Sequence, residues 1–340
     1  GLFYPPDPSS RGSCFIGGNL ANNSGGPKAV KYGVTREYVL NLEVVLASGE
    51  VIETGANVLK NSTGYSLTHL MIGSEGTLGI ITKAVLKLLP LPQQNVLMLV
   101  PFKSAREACE AVSAVFHAGI VPSAMEFMER DAIDWILAFD TDIRVEVFDE
   151  QAHLLIELDG NNLQQLQEEA EKLVGVLTDF DIGEILYAED DTQKQVLWRM
   201  RRRVAEAVKS NSVYKEEDTV VPRYQLPQLL DGIKAIGAIY GFRSVCYGHA
   251  GDGNLHVNII RGELSEAFWN NELKTAIREL FELVKSLGGT ISGEHGIGLV
   301  QKEYMDIMFP EHHLALFRSI KQAFDPNNIL NPGKIIPALT

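Results

Sequence analysis

Several things are scarce in this chain, and each scarcity narrows its function. Only three cysteines, Cys14, Cys109 and Cys246, occur in 340 residues. They are odd in number and far apart, which excludes a disulfide framework and fits reduced thiols in a cytoplasmic protein. No apolar run reaches about 20 residues, the length of a membrane-crossing helix, so no transmembrane segment and no signal peptide are expected. Positive charge is also short, with 30 Lys and Arg against 44 Asp and Glu and a formal net charge of −14. With no long basic stripe to offset that charge, nucleic acid is excluded as a partner. An anionic substrate would have to be held by local positive charge. The initiator Met is missing too, because the chain starts at Gly1-Leu2-Phe3, as a fragment would. The length exceeds one ordinary core, and two domains are expected.

What is present is concentrated in two glycine-rich segments near the C-terminus. The first is Tyr247-Gly-His249-Ala-Gly-Asp252-Gly-Asn254-Leu-His256-Val-Asn258, the second Ser292-Gly-Glu294-His295-Gly-Ile-Gly298. Apolar residues flank the Gly-Asp-Gly-Asn stretch, which reads as a β-hairpin with Asp252 and Gly253 as its turn. In that register His249 faces His256 directly, at the roughly 5 Å Cβ spacing that suits two imidazoles sharing one ion. Asn258 lies two residues beyond His256 and shares its face. Polar hairpin residues bonded to backbone or water are the plainer alternative. Glu294-His295 has a plain alternative as well, a loop end where Glu caps a following helix and His is exposed.

The rest of the chain reads as two regions. Residues 1 to about 55 are rich in Gly, Asn, Ser and Pro and lead into an extended run from Val39 to Leu46. A second glycine-rich stretch, Gly73 to Gly79, precedes the strand-like Ile80 to Leu88, and Pro90-Leu91-Pro92 marks a boundary. Beyond it, strands at Val96 to Pro101, Ser123 to Met128, His153 to Leu158, Glu184 to Ala188 and Thr219 to Val221 alternate with single helices. Those helices are Ser104 to Ala118, Asn161 to Leu177 and Leu226 to Ile239. The pattern predicts an antiparallel sheet with helices on one face, an α+β arrangement. A further helix, Thr192 to Val208, carries Arg199, Arg201, Arg202 and Arg203. The default reading of this run is a solvated face, but at about 100° per residue one or two guanidinium groups can face a pocket. One is enough to hold a carboxylate in a bidentate pair.

Six motifs in order carry a resemblance: Asp7-Pro8-Ser9-Ser10, then Ile16-Gly17-Gly18-Asn19-Leu20-Ala21-Asn22-Asn23-Ser24-Gly25-Gly26 with Lys31-Tyr32-Gly33, Gly73 to Gly79, the hairpin, the Glu-His segment, and Asn331-Pro332-Gly333-Lys334. Over essentially its whole length the sequence resembles the FAD-linked 2-hydroxy acid dehydrogenases of the vanillyl-alcohol oxidase superfamily. That group includes the FAD-binding subunit of glycolate oxidase, D-lactate dehydrogenase and D-2-hydroxyglutarate dehydrogenase. The resemblance implies the C-terminal part of a p-cresol methylhydroxylase-type FAD-binding domain over residues 1–90. It implies a ferredoxin-like, antiparallel-sheet cap domain over 91–310 and a segment returning to the flavin over 311–340.

By the same resemblance, Asp7, Ser10, Ser13, Gly17, Gly18, Asn22, Asn23 and Gly25 fall on loops lining the flavin and its pyrophosphate. Glu75, Gly76, Thr77, Ile80 and Ile81 fall beside the adenosine half, and Asn331 reaches back to the flavin. His249, His256 and Glu294 bind a divalent metal, with Zn²⁺ the first expectation and Mn²⁺ or Fe²⁺ also suited to two imidazoles and a carboxylate. His295 is the general base, Asn258 and Arg201 orient the substrate carboxylate, and Lys215 is a looser match to a substrate lysine. Ala205 stands where the hydroxyglutarate enzymes carry a hydroxyl residue, which favours a smaller acid such as glycolate or D-lactate. An electron-transfer protein or quinone as acceptor, and a homodimer, fit the same family. The family's glycine-rich phosphate loop does not precede Gly1, and Asp7-Pro8-Ser9-Ser10 cannot replace it because proline lacks a donor. A flavin-free, non-catalytic metal-binding or interaction fragment is therefore the alternative expectation. An ether-lipid synthase of the superfamily is disfavoured by the two hairpin histidines beside a Glu.

Overall fold

The computed structural model describes residues 1–147 and 149–337, and the chain divides into two compact units. The first comprises Gly1–Gly26, Tyr32–Leu91 and the chain from Ser292 onward. Its strands are β1 (Leu2–Phe3), β2 (Val39–Val45), β3 (Val51–Glu53), β4 (Ile80–Leu86) and β5 (Leu89–Pro90). β1 pairs with β5, and β3, β2 and β4 form an antiparallel sheet in that order. Val39, Leu42 and Val44 of the central strand pack on Leu20, Met71, Ile72 and Leu78. Ile320 and Phe324, from the helix Glu311–Phe324, complete this core.

The chain re-enters the first unit at Ser292, earlier than the boundary at 310 expected from sequence, and the stretch Pro27–Lys31 groups with the second unit. The early return has a physical reason. Asn22, Gly25 and Glu75 all hydrogen-bond to residues 294–298, tying that segment to this unit.

The second unit is built on one seven-stranded sheet. Its strands are β6 (Gln94–Phe102), β7 (Ala124–Glu129), β8 (Ala152–Gly160), β9 (Leu186–Tyr187), β10 (Tyr214–Val220), β11 (Arg243–Gly248) and β12 (Asn254–Ile260). The order is β10-β12-β11-β7-β8-β6-β9, and every pairing is antiparallel. The fold is therefore α+β, as the pattern predicts. The helix Ala105–His117 begins at the expected cap, with Ser104 Oγ accepting from Glu107 N–H at 3.4 Å.

Helices cover both faces, which corrects the expectation of one. On the Cys246 face, the helix Leu226–Tyr240 sends Lys234 to the Ser244 carbonyl at 3.0 Å. On the Tyr247 face, Ile133, Ile136, Leu197, Met200 and Val204 cluster with Met128, Val245 and Tyr247. The second layer was hidden because the helix Arg130–Phe139 follows β7 with no break and no side-chain cap. The predicted helix Thr192 to Val208 is two helices, Asp191–Arg202 and Val204–Asn211, separated at Arg203 with φ −94° and ψ 4°.

Candidate active site

The hairpin β11–β12 occupies the middle of the sheet, with β10 beside one strand and β7 beside the other. Its turn is longer than a two-residue one. The His249 carbonyl accepts from Asp252 N–H at 3.1 Å and Asn254 N–H at 3.2 Å, and Gly253 adopts φ +85°. A side chain at Gly253 would collide with the Val221 carbonyl. The register is consequently displaced by two residues, so that Tyr247, not His249, faces His256. Two is an even number, and strand alternation keeps the parity. The His249 and His256 rings still meet, with centroids 5.5 Å apart at 81°. Both histidines are buried, at 3% and 5% exposure, and Asn258 is fully buried on the same face.

Each imidazole has a buried carboxylate beside it that the sequence reading missed. His249 Nδ1 lies 2.9 and 2.8 Å from the two oxygens of Glu126. His256 faces Asp218 on β10, with Nδ1 3.6 Å from Oδ1. Burial pushes the Glu126 pKa up, but His249 and Arg201 outweigh it and hold the carboxyl below its ordinary value. Of the arginine run, Arg201 alone is buried, its Nη2 2.7 Å from Glu126 Oε2 and its guanidinium 5.2 Å over the Tyr247 ring. Its Nε has no hydrogen-bond partner among the described residues. Arg199 instead pairs with Asp140, and Arg203 with Asp140 and Glu206.

Lys215 is on the other face of the sheet. It pairs with Ile259 in the β10–β12 register, out of phase with His256 and Asn258, and its Nζ lies 5.4 Å over the Trp269 ring. Strand alternation therefore removes it from this cluster. The position opposite Asn258 is Glu216, which accepts from Tyr247 Oη at 3.3 Å.

In the first unit, the expected loop Gly17 to Asn22 is instead the helix Ile16–Asn22, ending at Asn23 with φ 55°. Gly17 and Gly18 are exposed and nothing lies within 4 Å of where their Cβ atoms would be, leaving open backbone for a ligand. Asn22 and Gly25 turn to the second motif: Asn22 Nδ2 donates to the His295 carbonyl and Gly25 N–H to Glu294 Oε2, each at 3.0 Å. Glu75 accepts Ile297 N–H at 2.7 Å and Gly298 N–H at 2.8 Å, while Asn331 Nδ2 donates to the Glu75 carbonyl at 2.5 Å. The motifs Ile16 to Gly26, Gly73 to Gly79, Ser292 to Gly298 and Asn331 are thus bonded into one framework. Asp7 pairs with Arg11 at 3.2 Å, Ser13 Oγ donates to the Ser10 carbonyl, and Thr77 Oγ1 to that of Ser74. Gly76 has φ +71°, Ile80 is exposed, and Ile81 packs on the β2 core.

Residues 91–335 match the family described as FAD linked oxidases, C-terminal domain. The chain belongs to the FAD-linked oxidases. Residues 1–55 match the FAD binding domain. D-lactate dehydrogenase of Anaerostipes hadrus is 37% identical over 345 residues, covering 98% of this chain and 71% of that protein. Glycolate oxidase subunit GlcD of Bacillus subtilis is 38% identical over 339 residues, with the same coverage of 98% and 71%. Among solved structures, p-cresol methylhydroxylase superposes with a TM-score of 0.72 at 18% identity, covering 94% of this chain and 68% of its own. Alkyldihydroxyacetonephosphate synthase gives 0.68 at 19%, covering 98% of this chain and 60% of that one. These structures share the fold. Among the described residues no helix is long and apolar enough to cross a membrane.

Proposed function

We propose that the protein oxidises a small 2-hydroxy acid of the glycolate or D-lactate class to its 2-oxo acid, with FAD as hydride acceptor. The observation that carries this reading is the buried pair His249 and His256, beside the buried guanidinium of Arg201 and amide of Asn258, in a flavin-linked oxidase. Two imidazoles, one already hydrogen-bonded at Nδ1 to a carboxylate, form a donor set that fits a divalent cation. His249, His256 and Glu294 would hold the ion, with Zn²⁺, Mn²⁺ and Fe²⁺ all compatible with that set. The open backbone at Gly17 and Gly18 fits close approach of a cofactor.

FAD, when bound, would supply a hydride acceptor for the C2 hydrogen, and a divalent ion would supply Lewis acidity at the C2 hydroxyl. The chain's own residues do the rest. His295 accepts the hydroxyl proton as general base. Asn258 and the unpaired Nε of Arg201 orient the substrate carboxylate. Glu216, a carboxylate on the Asn258 face, opposes a second substrate carboxylate and supports a monocarboxylic acid over hydroxyglutarate. A quinone or an electron-transfer protein would serve as the final electron acceptor.

A panel of small 2-hydroxy acids, added anaerobically to the full-length flavoprotein, tests the proposal through loss of the flavin absorbance. Glycolate or one lactate enantiomer is expected to bleach it, and 2-hydroxyglutarate to do so far less. Bleaching by none of the panel would overturn the reading.

A further inference from the structure

We infer that Glu126 is a positioning residue for the cation site, presetting His249 to offer Nε2, and that Arg201 anchors Glu126 in turn. The assignment rests on the reading of His249 as a metal ligand. It begins with strand register. β7 pairs with β11 at Met128 with Tyr247 and Phe127 with Gly248, and one further step sets Glu126 across from His249. His249 itself lies beyond the end of β11, at the start of the turn, with φ −86° and ψ 74°. The turn holds its backbone, whose carbonyl accepts from the Asp252 and Asn254 N–H groups, but backbone bonds leave the ring torsion open, and a side-chain partner is what orients the ring.

Glu126 supplies that restraint. Both of its oxygens lie within 2.9 Å of His249 Nδ1, and the carboxylate is wholly buried. An ionised carboxylate only accepts, so Nδ1 must carry a proton and the lone pair of the neutral ring sits on Nε2. That is the tautomer a cation needs from this side of the ring. Glu126 would itself be free to swing were it not paired. Arg201 Nη2 sits 2.7 Å from Oε2, with only 2% of the residue exposed, and the Tyr247 ring lies under the guanidinium. The order is therefore Arg201, Glu126, His249, each fixing the next. Metal-binding histidines commonly donate their second N–H to a carboxylate, and loss of that partner weakens binding by about 10- to 100-fold. A further consequence follows for Arg201. Nη2 is committed to Glu126, so the substrate carboxylate is left to the other nitrogens, of which Nε has no hydrogen-bond partner among the described residues.

The test is calorimetric titration of the full-length protein with Zn²⁺ and with Mn²⁺, in wild type, Glu126→Gln and Glu126→Leu. Glu126→Leu removes the acceptor and is expected to bind at least one ion about 10- to 100-fold more weakly. Glu126→Gln keeps an amide oxygen able to accept from Nδ1 and is expected to fall between. Circular dichroism and thermal unfolding establish that each variant is folded. Should Glu126→Leu not fold, the tautomer of His249 in metal-free wild type decides the matter, read by ¹⁵N-histidine NMR above neutral pH. Protonated Nδ1 supports the assignment, and protonated Nε2 overturns it. Unchanged affinity in folded Glu126→Leu sinks the positioning role alone. A wild type that binds neither ion sinks the ligand reading of His249, and the positioning role with it.

Discussion

Glu75 and Ile297 are joined across 222 positions by a single hydrogen bond, the Ile297 N–H reaching Glu75 Oε1 at 2.7 Å. The other oxygen takes the Gly298 N–H at 2.8 Å. Glu75 holds φ +50° to make this bridge, an uncommon conformation for a side chain of its size. Gly296 has φ +82°, which favours glycine, and a Cβ there would lie 2.7 Å from Glu75 Oε1, so a side chain would displace the carboxylate from this bridge. Glu75→Gln turns one acceptor into a donor facing a backbone N–H. A loss of about 2 kcal/mol in unfolding free energy is expected. Limited proteolysis should cut faster within 292–300. An unchanged denaturation midpoint with unchanged cleavage would count against the bridge.

The hairpin turn makes a second demand. Gly253 has φ +85°, and an added methyl would run into the Val221 carbonyl. Gly253→Ala must therefore move the turn that ends β11 and starts β12. Backbone strain of about 1–3 kcal/mol is expected, and with it displacement of His249. Thermal unfolding and metal content report the two effects separately. Wild-type values for both would mean that the turn tolerates a side chain.

Much of this was legible in the sequence, and the rest was hidden for identifiable reasons. Period-2 and period-3.6 patterns located β6 to β8, and Ser104 marked its helix start. The face shared by His249, His256 and Asn258 was readable because a two-residue error in register leaves strand parity unchanged. The error itself came from taking Asp252 and Gly253 as a two-residue turn, when His249 already belongs to the bend. Glu126 was missed because a single acidic residue amid apolar neighbours in a strand has no local signature, and Asp218 because it ends the acidic run Glu216-Glu217-Asp218, which reads as a solvated stretch. Their partners lie 123 residues away in the first case and on a neighbouring strand in the second. Lys215 was matched through the resemblance alone, which carries no information on strand phase, and its pairing with Ile259 puts it on the face opposite His256 and Asn258.

His153 gives a stability prediction with a sign. It is buried on β8, and burial lowers its pKa from 6.5 to about 4, with Glu150 opposing and Arg130 adding to the effect. Between those values the unfolded chain binds more protons than the folded one. Stability is therefore fully present above pH 6.5 and falls as the pH drops towards 4, by up to about 3 kcal/mol. His153→Leu should flatten the denaturation free energy across that window. A slope equal to wild type would show that other groups dominate it.

Glu294 and His295 are neighbours in sequence, yet the proposed mechanism gives them different tasks, and substitution should separate them. Glu294 receives the Gly25 N–H at 3.0 Å, and the His295 carbonyl receives the Asn22 amide at 3.0 Å, so the backbone of this segment is held from two sides. A side-chain truncation at His295 leaves its carbonyl bond intact and should preserve the segment. His295→Ala in the full-length protein is expected to keep metal and flavin while slowing flavin reduction by substrate about 10²- to 10⁴-fold, the usual contribution of a general base. Glu294→Ala, like His249→Ala, is expected to lose the metal and keep the flavin. Metal analysis, the visible flavin spectrum and anaerobic reduction rates distinguish these outcomes in one set of preparations. Stoichiometric metal in Glu294→Ala would refute its role as a ligand. Reduction of His295→Ala at the wild-type rate would move the base to another residue.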